Sequence, residues 1–388
     1  MDIGLERAGW QTAVATDIDG DCVATLEASK AAGVPVRGRS AFRHLHDAAI
    51  VKADVCDLVA ADLRPAHVTG DWRPSLLAGG PPCQPWSSAG LQQGLRDARG
   101  QLFEHLIRLT DELRPHFVLF ENVRGLVTAV GPGGRPGEVL ELIQRSFEDL
   151  GYATTFATLN AADYGAPQRR VRLFIMASDT HALPAFPEPT RQRSIPAMLD
   201  RECEPWVSLG EFLNGLPRPA PAEVMLANEQ RGAELAALVP GTGLRTRGRV
   251  ENNRPGGHWG YRQDFFLADP ALPARTIRAA GTPDWIRLPD GSHRRLTWRE
   301  CAALQGFPPG WRFEGRIASK FRQIGNAVQA DAAEALGGVL LGMLAGGPSK
   351  TTPRSVPLPS EFGRRVKYTV AEHRTNGEHR VRVRASVA

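Results

Sequence analysis

The sequence predicts an α/β fold: a doubly wound sheet of short buried strands covered by helices, with a smaller, loop-rich second domain. Three observations carry that prediction. Residues 75–78 (SLLA) and 117–120 (FVLF) are apolar runs of the length buried strands have. Between them Leu102, Phe103, Leu106, Ile107 and Leu113 recur at helical spacing, so the unit reads strand, loop, helix, strand. From about Thr180 to about Arg295 the chain becomes rich in Pro, Arg and Gly and its periodicity breaks, as expected of short strands joined by loops.

The other elements follow in order. Val139, Leu140, Leu142, Ile143, Phe147 and Leu150 form a helical stretch closed by Gly151, and residues 171–177 (VRLFIMA) read as a further buried strand. Regular helix returns after Gly325, where Val328, Ala332, Leu336, Val339, Leu340 and Met343 share one face expected to pack back on the first domain. It ends at Gly346-Gly347-Pro348. Residues 364–374 and 378–387, joined through Asn376-Gly377, are a hairpin candidate. No repeat of fixed period is evident.

Composition narrows the class. With 388 residues, 42% hydrophobic and 23% charged, the chain is neither collagen-like, coiled-coil nor disordered. No apolar run approaches the roughly 20 residues that span a bilayer, and the opening MDIGLERAGW carries Asp2 and Glu6, unlike a secretory leader. A cytoplasmic protein with no membrane partner is expected. Five scattered cysteines without CxxC spacing support neither a disulfide framework nor a zinc site, so any special cysteine works as a thiol. Net charge is +5, which permits a polyanionic partner without requiring one.

The most informative segment is 79–87, GGPPCQPWS, directly after a strand. Ligands of open α/β sheets bind beyond the carboxyl ends of strands, which puts Cys83 over the crevice. Taken alone, a loop cysteine is more often inert than nucleophilic. Glu121, in ENV after the next strand, offers a carboxyl group for the same mouth, able to donate a proton or hydrogen bond to a ring nitrogen. Alternation in QRRVR points Arg170 and Arg172 to one side, suited to a phosphate or a carbonyl oxygen, or else to an exposed salt-bridged face. Residues 90–103 form a Gly-rich polar loop, either a lid or a plain connection. Thr297 and Glu300 have capping-box spacing, and Gly325-Asn326 has the composition of a turn.

Together, GGPPCQPWS, ENV, QRRVR, RRLTWRECAALQGFP (294–308) and QIGNAVQ (323–329) resemble, in content and order, the motifs of the DNA (cytosine-5) methyltransferases, over residues 1 to about 345. The resemblance implies a Rossmann-like, S-adenosylmethionine-dependent methyltransferase sheet with a smaller target-recognition domain. It makes Cys83 the nucleophile that adds to carbon 6 of cytosine, Glu121 the residue that engages ring nitrogen 3, and Arg172 the arginine that holds the base, with Arg170 and Gln168 in support. Base flipping and a mobile catalytic loop over 84–100 are implied as well. The cofactor is S-adenosyl-L-methionine, with Asp17 in place of the family's ribose ligand, Asp54 as the adenine contact, and Pro82 and Asn326 lining the pocket. Double-stranded DNA is the implied partner, for a monomer functionally matched to a cognate restriction endonuclease. The implied organisation is 1–180 catalytic and cofactor-binding, 181–308 target recognition, 309–348 a return to the catalytic domain, and 349–388 a basic extension.

The family's first strand and glycine turn are absent, since residues 4–10 match the helix that follows them. Either the true start lies upstream of Met1 or cofactor binding has been lost, and the intact downstream set favours the first. An RNA cytosine methyltransferase and a non-catalytic DNA-binding protein are the alternatives. Residues 245–299 hold eleven Arg against five acids, interleaved with Trp259, Tyr261, Phe265, Phe266, Trp285 and Trp298. Arginine suits guanine and phosphate contacts, although for any one of these residues a surface salt bridge or core packing is the better account. Residues 349–388 carry nine basic residues against three acids, and the remainder of the chain is mildly acidic.

Overall fold

The computed structural model describes residues 1–65, 68, 72–81, 102–179, 182–183, 185–193, 203–244, 265–279, 282–349 and 354–356. Helix α1 (Asp2–Ala8) precedes strand β1 (Val14–Asp17) and helix α2 (Gly20–Ala31), which Asp19 caps by accepting from the Asp21 N–H. The antiparallel pair β2 (Pro35–Val36) and β3 (Arg39–Arg43) leads to β4 (Ala49–Lys52), which lies parallel to β1. Strands β5 (Leu76–Gly79) and β6 (Phe117–Val123) are parallel neighbours, with α3 (Leu102–Leu113) between them in the chain. Helix α4 (Glu138–Asp149) then leads to β7 (Ala153–Asn160), the short β8 (Gln168–Arg169) and β9 (Val171–Ser178).

The main sheet has the order β5-β6-β9-β7, and β9 runs antiparallel to both of its neighbours. The parallel sheet expected from the sequence is therefore mixed. Residues 161–170 are too few for the helical crossover a parallel return needs, so the chain reverses instead. Strands β1 and β4 form a separate ladder, and among the described residues neither β1 nor β5 pairs with a second strand. Side chains join the two ladders: Val14 and Val51 pack in one cluster with Leu77, Leu109 and Leu113.

Alternation along β6 builds both faces of the core. Val118 and Phe120 pack with Phe103 of α3 and Leu140, Ile143 and Phe147 of α4. Phe117 and Leu119 face the other way, onto Leu5 of α1 and Leu336 and Leu340 of the last helix. That two-sided burial explains why 117–120 is a continuous apolar run.

The second region is built from β10 (Arg191–Gln192), β11 (Glu204–Pro205), α5 (Leu209–Asn214), α6 (Glu229–Ala236), β12 (Thr242–Leu244), β13 (Phe265–Leu267), β14 (Ala274–Arg275), β15 (Trp285–Arg287) and β16 (His293–Arg295). Its small sheet has the order β12-β13-β15-β16, while β14 leaves it to pair with β8, next to the main sheet. Helix α7 (Trp298–Leu304) opens with the expected capping box: Thr297 accepts from the Glu300 N–H, and the Glu300 carboxylate accepts from the Thr297 N–H at 2.8 Å. Helices α8 (Ile317–Asn326) and α9 (Ala330–Gly346) follow. Gly325-Asn326 is thus the last turn of a helix rather than a free turn, and α9 begins five residues after Gly325. Residues 354–356 lie along β7, where the Val356 N–H donates to the Thr154 carbonyl at 2.8 Å. The loop 84–100 and the hairpin candidate over 364–387 lie outside the described residues.

Candidate active site

The candidate site gathers at the carboxyl ends of β5 and β6. Because β6 continues through Val123, the strand's pleat sets the direction of the Glu121 side chain; the carboxylate does not hang from a loop. Register pairs Val123 with Arg172, so Glu121 and Arg172 lie on one face as diagonal neighbours. Arg172 Nε stands 3.2 Å from Glu121 Oε1, both side chains being largely buried. The other carboxylate oxygen lies over Gly80: a Cβ placed there would come within 3.0 Å of Glu121 Oε2. Asn122 Nδ2 donates to the Pro81 carbonyl at 3.2 Å. The segment leaving β5 is therefore fastened to β6 just before it reaches Pro82 and Cys83, two site candidates that lie outside the described residues.

Cys22, Cys56 and Cys301 are poorly suited to nucleophilic work. Burial drives Cys301 well above the ordinary thiol range. Burial and the charges of Asp17 and Asp19 push Cys22 up to about 12. Hydrogen bonding to Asp54 raises Cys56. A thiol held protonated is a weak nucleophile.

Arg170 and Arg172 do different things. The alternation expected between them requires a strand through Arg170, but β8 ends at Arg169 and β9 starts at Val171. Arg170 is buried and donates from Nη1 to the Ile277 carbonyl at 3.2 Å and from Nη2 to the Gly325 carbonyl at 2.9 Å. Arg172 turns to Glu121, and Gln168 is fully buried against Gln305.

Two of the cofactor candidates, Asp17 and Asp54, lie on a second side, while Pro82 lies outside the described residues. Asp17 ends β1 and Asp54 lies two residues past β4, so the parallel pair delivers both acids to one end. Asp17 accepts from the Asp19 N–H at 2.8 Å. The Cys56 N–H donates to Asp54 and holds its carboxyl below the usual carboxylate range. Arg322 of α8 is paired with Asp19 at 2.5 Å, and the exposed Asn326 lies one turn further along the same helix. Ile18, which sequence reasoning did not single out, is 62% exposed beside Asp17 and offers an apolar surface to a flat ring. Its only signal is an apolar residue inside the acidic run VATDID. Acids able to accept from hydroxyl and amino groups, an exposed amide and an apolar face form a donor set that fits a nucleoside-bearing cofactor. Among the described residues no His, Cys, Asp or Glu cluster could hold a metal ion.

Most described arginines of the 245–299 tract are occupied within the fold. Arg275 lies 3.5 Å above the Phe266 ring and pairs with Asp284. Arg294 grips Glu300 with two buried hydrogen bonds of 2.8 and 2.7 Å. Arg295 covers Trp285, Arg299 covers Trp298, and Arg287 donates to carbonyls of residues 235, 236 and 238. Arg245, Arg247, Arg249, Arg254 and Arg262, with Trp259 and Tyr261, lie outside the described residues.

Comparison with known proteins bears on the whole chain. The family model for C-5 cytosine-specific DNA methylase matches residues 1–341. Type II methyltransferase M.AplI of Arthrospira platensis is 33% identical over 298 residues, 74% of each chain. Type II methyltransferase M.PspPI of a Psychrobacter species is 30% identical over 358 residues, 89% of this chain and 77% of the relative. Among solved structures, a DNA modification methyltransferase encoded in an Escherichia coli prophage superposes with a TM-score of 0.58 at 23% identity, covering 88% of this chain and 95% of that one. Schizosaccharomyces pombe Dnmt2 superposes with a TM-score of 0.57 at 16% identity over the same shares. These likenesses establish the fold.

Proposed function

We propose that this chain, which belongs to the C-5 cytosine-specific DNA methylase family, carries out its reaction at the strand ends of β5, β6 and β9. It is a DNA (cytosine-5) methyltransferase, and S-adenosyl-L-methionine is its methyl donor. Bound, that cofactor supplies an electrophilic methyl group on a sulfonium sulfur. Asp17, Asp54 and Asn326, with Ile18 and Pro82, are the residues we assign to hold it.

In this reading the Cys83 thiolate adds to carbon 6 of a cytosine flipped out of duplex DNA, which makes carbon 5 nucleophilic. Glu121, as the carboxylic acid, donates to ring nitrogen 3 and so neutralises the negative charge that addition delivers to the ring. Arg172 fixes the Glu121 carboxyl group by its 3.2 Å contact, is itself held by Nη1 donating to the Val171 carbonyl at 2.8 Å, and presents Nη2 to the base. Once carbon 5 carries the methyl group, its proton passes to solvent water, and the C5–H electron pair reforms the 5,6 double bond and expels the Cys83 thiolate. The observation that supports the reading is the Asn122–Pro81 hydrogen bond and the close approach of Gly80 to Glu121, which hold the end of β5 beside the Glu121–Arg172 pair.

Residues 1–180 and 309–348 form the catalytic unit in this proposal, and residues 181–308 read a specific DNA sequence. A cytoplasmic monomer whose functional counterpart is a cognate restriction endonuclease is the setting we assign. The test is bisulfite sequencing of DNA from cells expressing the protein. Cys83→Ser should abolish methylation, and Glu121→Gln should lower it by about 10²–10⁴-fold. Methylation surviving Cys83→Ser would refute the assigned nucleophile.

A further inference from the structure

We propose that Gln305 is a positioning residue: with Gln168 and Arg170 it forms a buried relay that couples the backbone at Ile277 to the backbone on both sides of Asn326. Seating of DNA and seating of cofactor are linked through it. The inference rests on the reading that Asn326 faces the cofactor and that the 181–308 region meets DNA.

Two straps run side by side. In the first, the Ile277 N–H donates to Gln168 Oε1 at 3.0 Å, Gln168 Nε2 donates to Gln305 Oε1 at 2.6 Å, and Gln305 Nε2 donates to the Ala327 carbonyl. Each amide gives and accepts in one direction, so its partners leave it a single orientation, and aligned hydrogen bonds of this kind reinforce one another. In the second strap, Arg170 bridges the Ile277 and Gly325 carbonyls. Both polar groups of the Ile277 backbone are thus held, and the far ends of the straps land on Gly325 and Ala327, flanking Asn326.

The relay is sealed and stiff. Gln168 and Gln305 are 0% exposed and Arg170 is 3% exposed, so water cannot replace a bond that stretches, and a buried unpaired amide is costly. Gly325 packs directly on the opposing backbone: a Cβ there would fall 2.2 Å from Ala279 N. A shift at Ile277 must therefore be passed to Gly325 and Ala327. Ile277 follows β14, which pairs with β8 immediately before Arg170 and the Glu121–Arg172 pair. The straps accordingly join the second region, the catalytic strand ends and the α8 terminus.

Gln305→Met, close in volume and without polar atoms, is the variant that tests the coupling. In methylation assays with the full chain at saturating target duplex, it should raise the KM for S-adenosylmethionine about tenfold, the worth of a buried hydrogen bond, with kcat changed less than about twofold. A merely structural role would reduce the active fraction, lowering kcat at unchanged KM, and that result would overturn the proposal. A ligand-free measurement decides the matter even if the wild-type chain proves inactive, which would count against the functional reading instead. Hydrogen exchange in Gln305→Met should quicken about tenfold at 276–279 and at 324–328 together, with β9 unchanged. Quickening at one end only, or throughout the molecule, would sink the relay.

Discussion

At the scale of single residues, the same side-chain type serves opposite ends according to its partner. Glu121 is largely buried with its carboxyl group 3.2 Å from the Arg172 guanidinium. Asp163 is also largely buried, but its carboxylate has only the Trp206 indole N–H, at 2.8 Å, to offset lost hydration, and its pKa rises to about 6. The folded state therefore binds that proton more tightly than the unfolded chain, where the group titrates near 3.8. Stability from this group is fully present below about pH 4 and is lost as pH rises through about 6. Asp163→Asn keeps an acceptor for Trp206 and removes the charge. We expect it to raise the unfolding free energy by about 1–3 kcal/mol at pH 8 and to change little at pH 4. Urea unfolding at the two pH values is the measurement, and an equal effect at both would contradict the assignment of cost to ionisation.

At the scale of elements, the crossing of α1 and α9 is set by close approach. A Cβ on Gly4 would stand 2.2 Å from the Ala330 carbonyl oxygen and 2.7 Å from Glu334 N, both backbone atoms that cannot swing aside. Gly338, on the exposed side of α9, has nothing within 4 Å of its would-be Cβ. Gly4→Ala should destabilise by about 1–3 kcal/mol through overpacking, while Gly338→Ala should stabilise by about 1 kcal/mol through helix propensity. Thermal unfolding of the two variants should move in opposite directions, and a shared sign would refute this packing. Neither environment is legible in the sequence, because both glycines read only as weak helix formers. What was legible is what periodicity carries: the helices holding Leu106 and Ile143, the strands 117–120 and 171–177, and the capping box at Thr297. Strand direction is not periodic, so the antiparallel β9 was not visible. Helix α8 was hidden because its Gly325 reads as a breaker. Glu121 and Arg172 stand out in the sequence through their motifs, and the structure puts the two side chains in contact. The work of Arg170 and Gln305 was hidden, because their backbone partners lie 107, 155 and 22 residues away and depend on the tertiary fold.

At the scale of the whole molecule, the modest +5 charge conceals an uneven distribution. The six described arginines of the 245–299 tract include several used for stacking and pairing within the fold, so they contribute less free charge to a DNA partner than their number suggests. The basic extension is attached differently. Val356 adds to β7 at Thr154, supported by Gln144 Nε2 donating to the Val356 carbonyl at 3.1 Å and by the Thr154 N–H donating to Ser355 Oγ at 3.0 Å. Thr154 lies at the end of β7 opposite Leu159, the residue that pairs with Arg172. The extension is thus anchored three strand residues along, roughly 10 Å, and two strands across, roughly 10 Å more, from Glu121. A basic extension attached there suits phosphates flanking the target rather than the target base, and such interactions add affinity without sequence information. Truncation after Val356 keeps the anchor and removes seven basic residues and three acids. It should flatten the dependence of log binding constant on log salt by about 0.9 for each phosphate that is no longer neutralised, weaken target and non-target duplexes alike, and leave kcat unchanged. Measured by fluorescence anisotropy over a salt series, an unchanged slope would show that the extension does not touch DNA, and weakening confined to the target duplex would assign it to recognition instead.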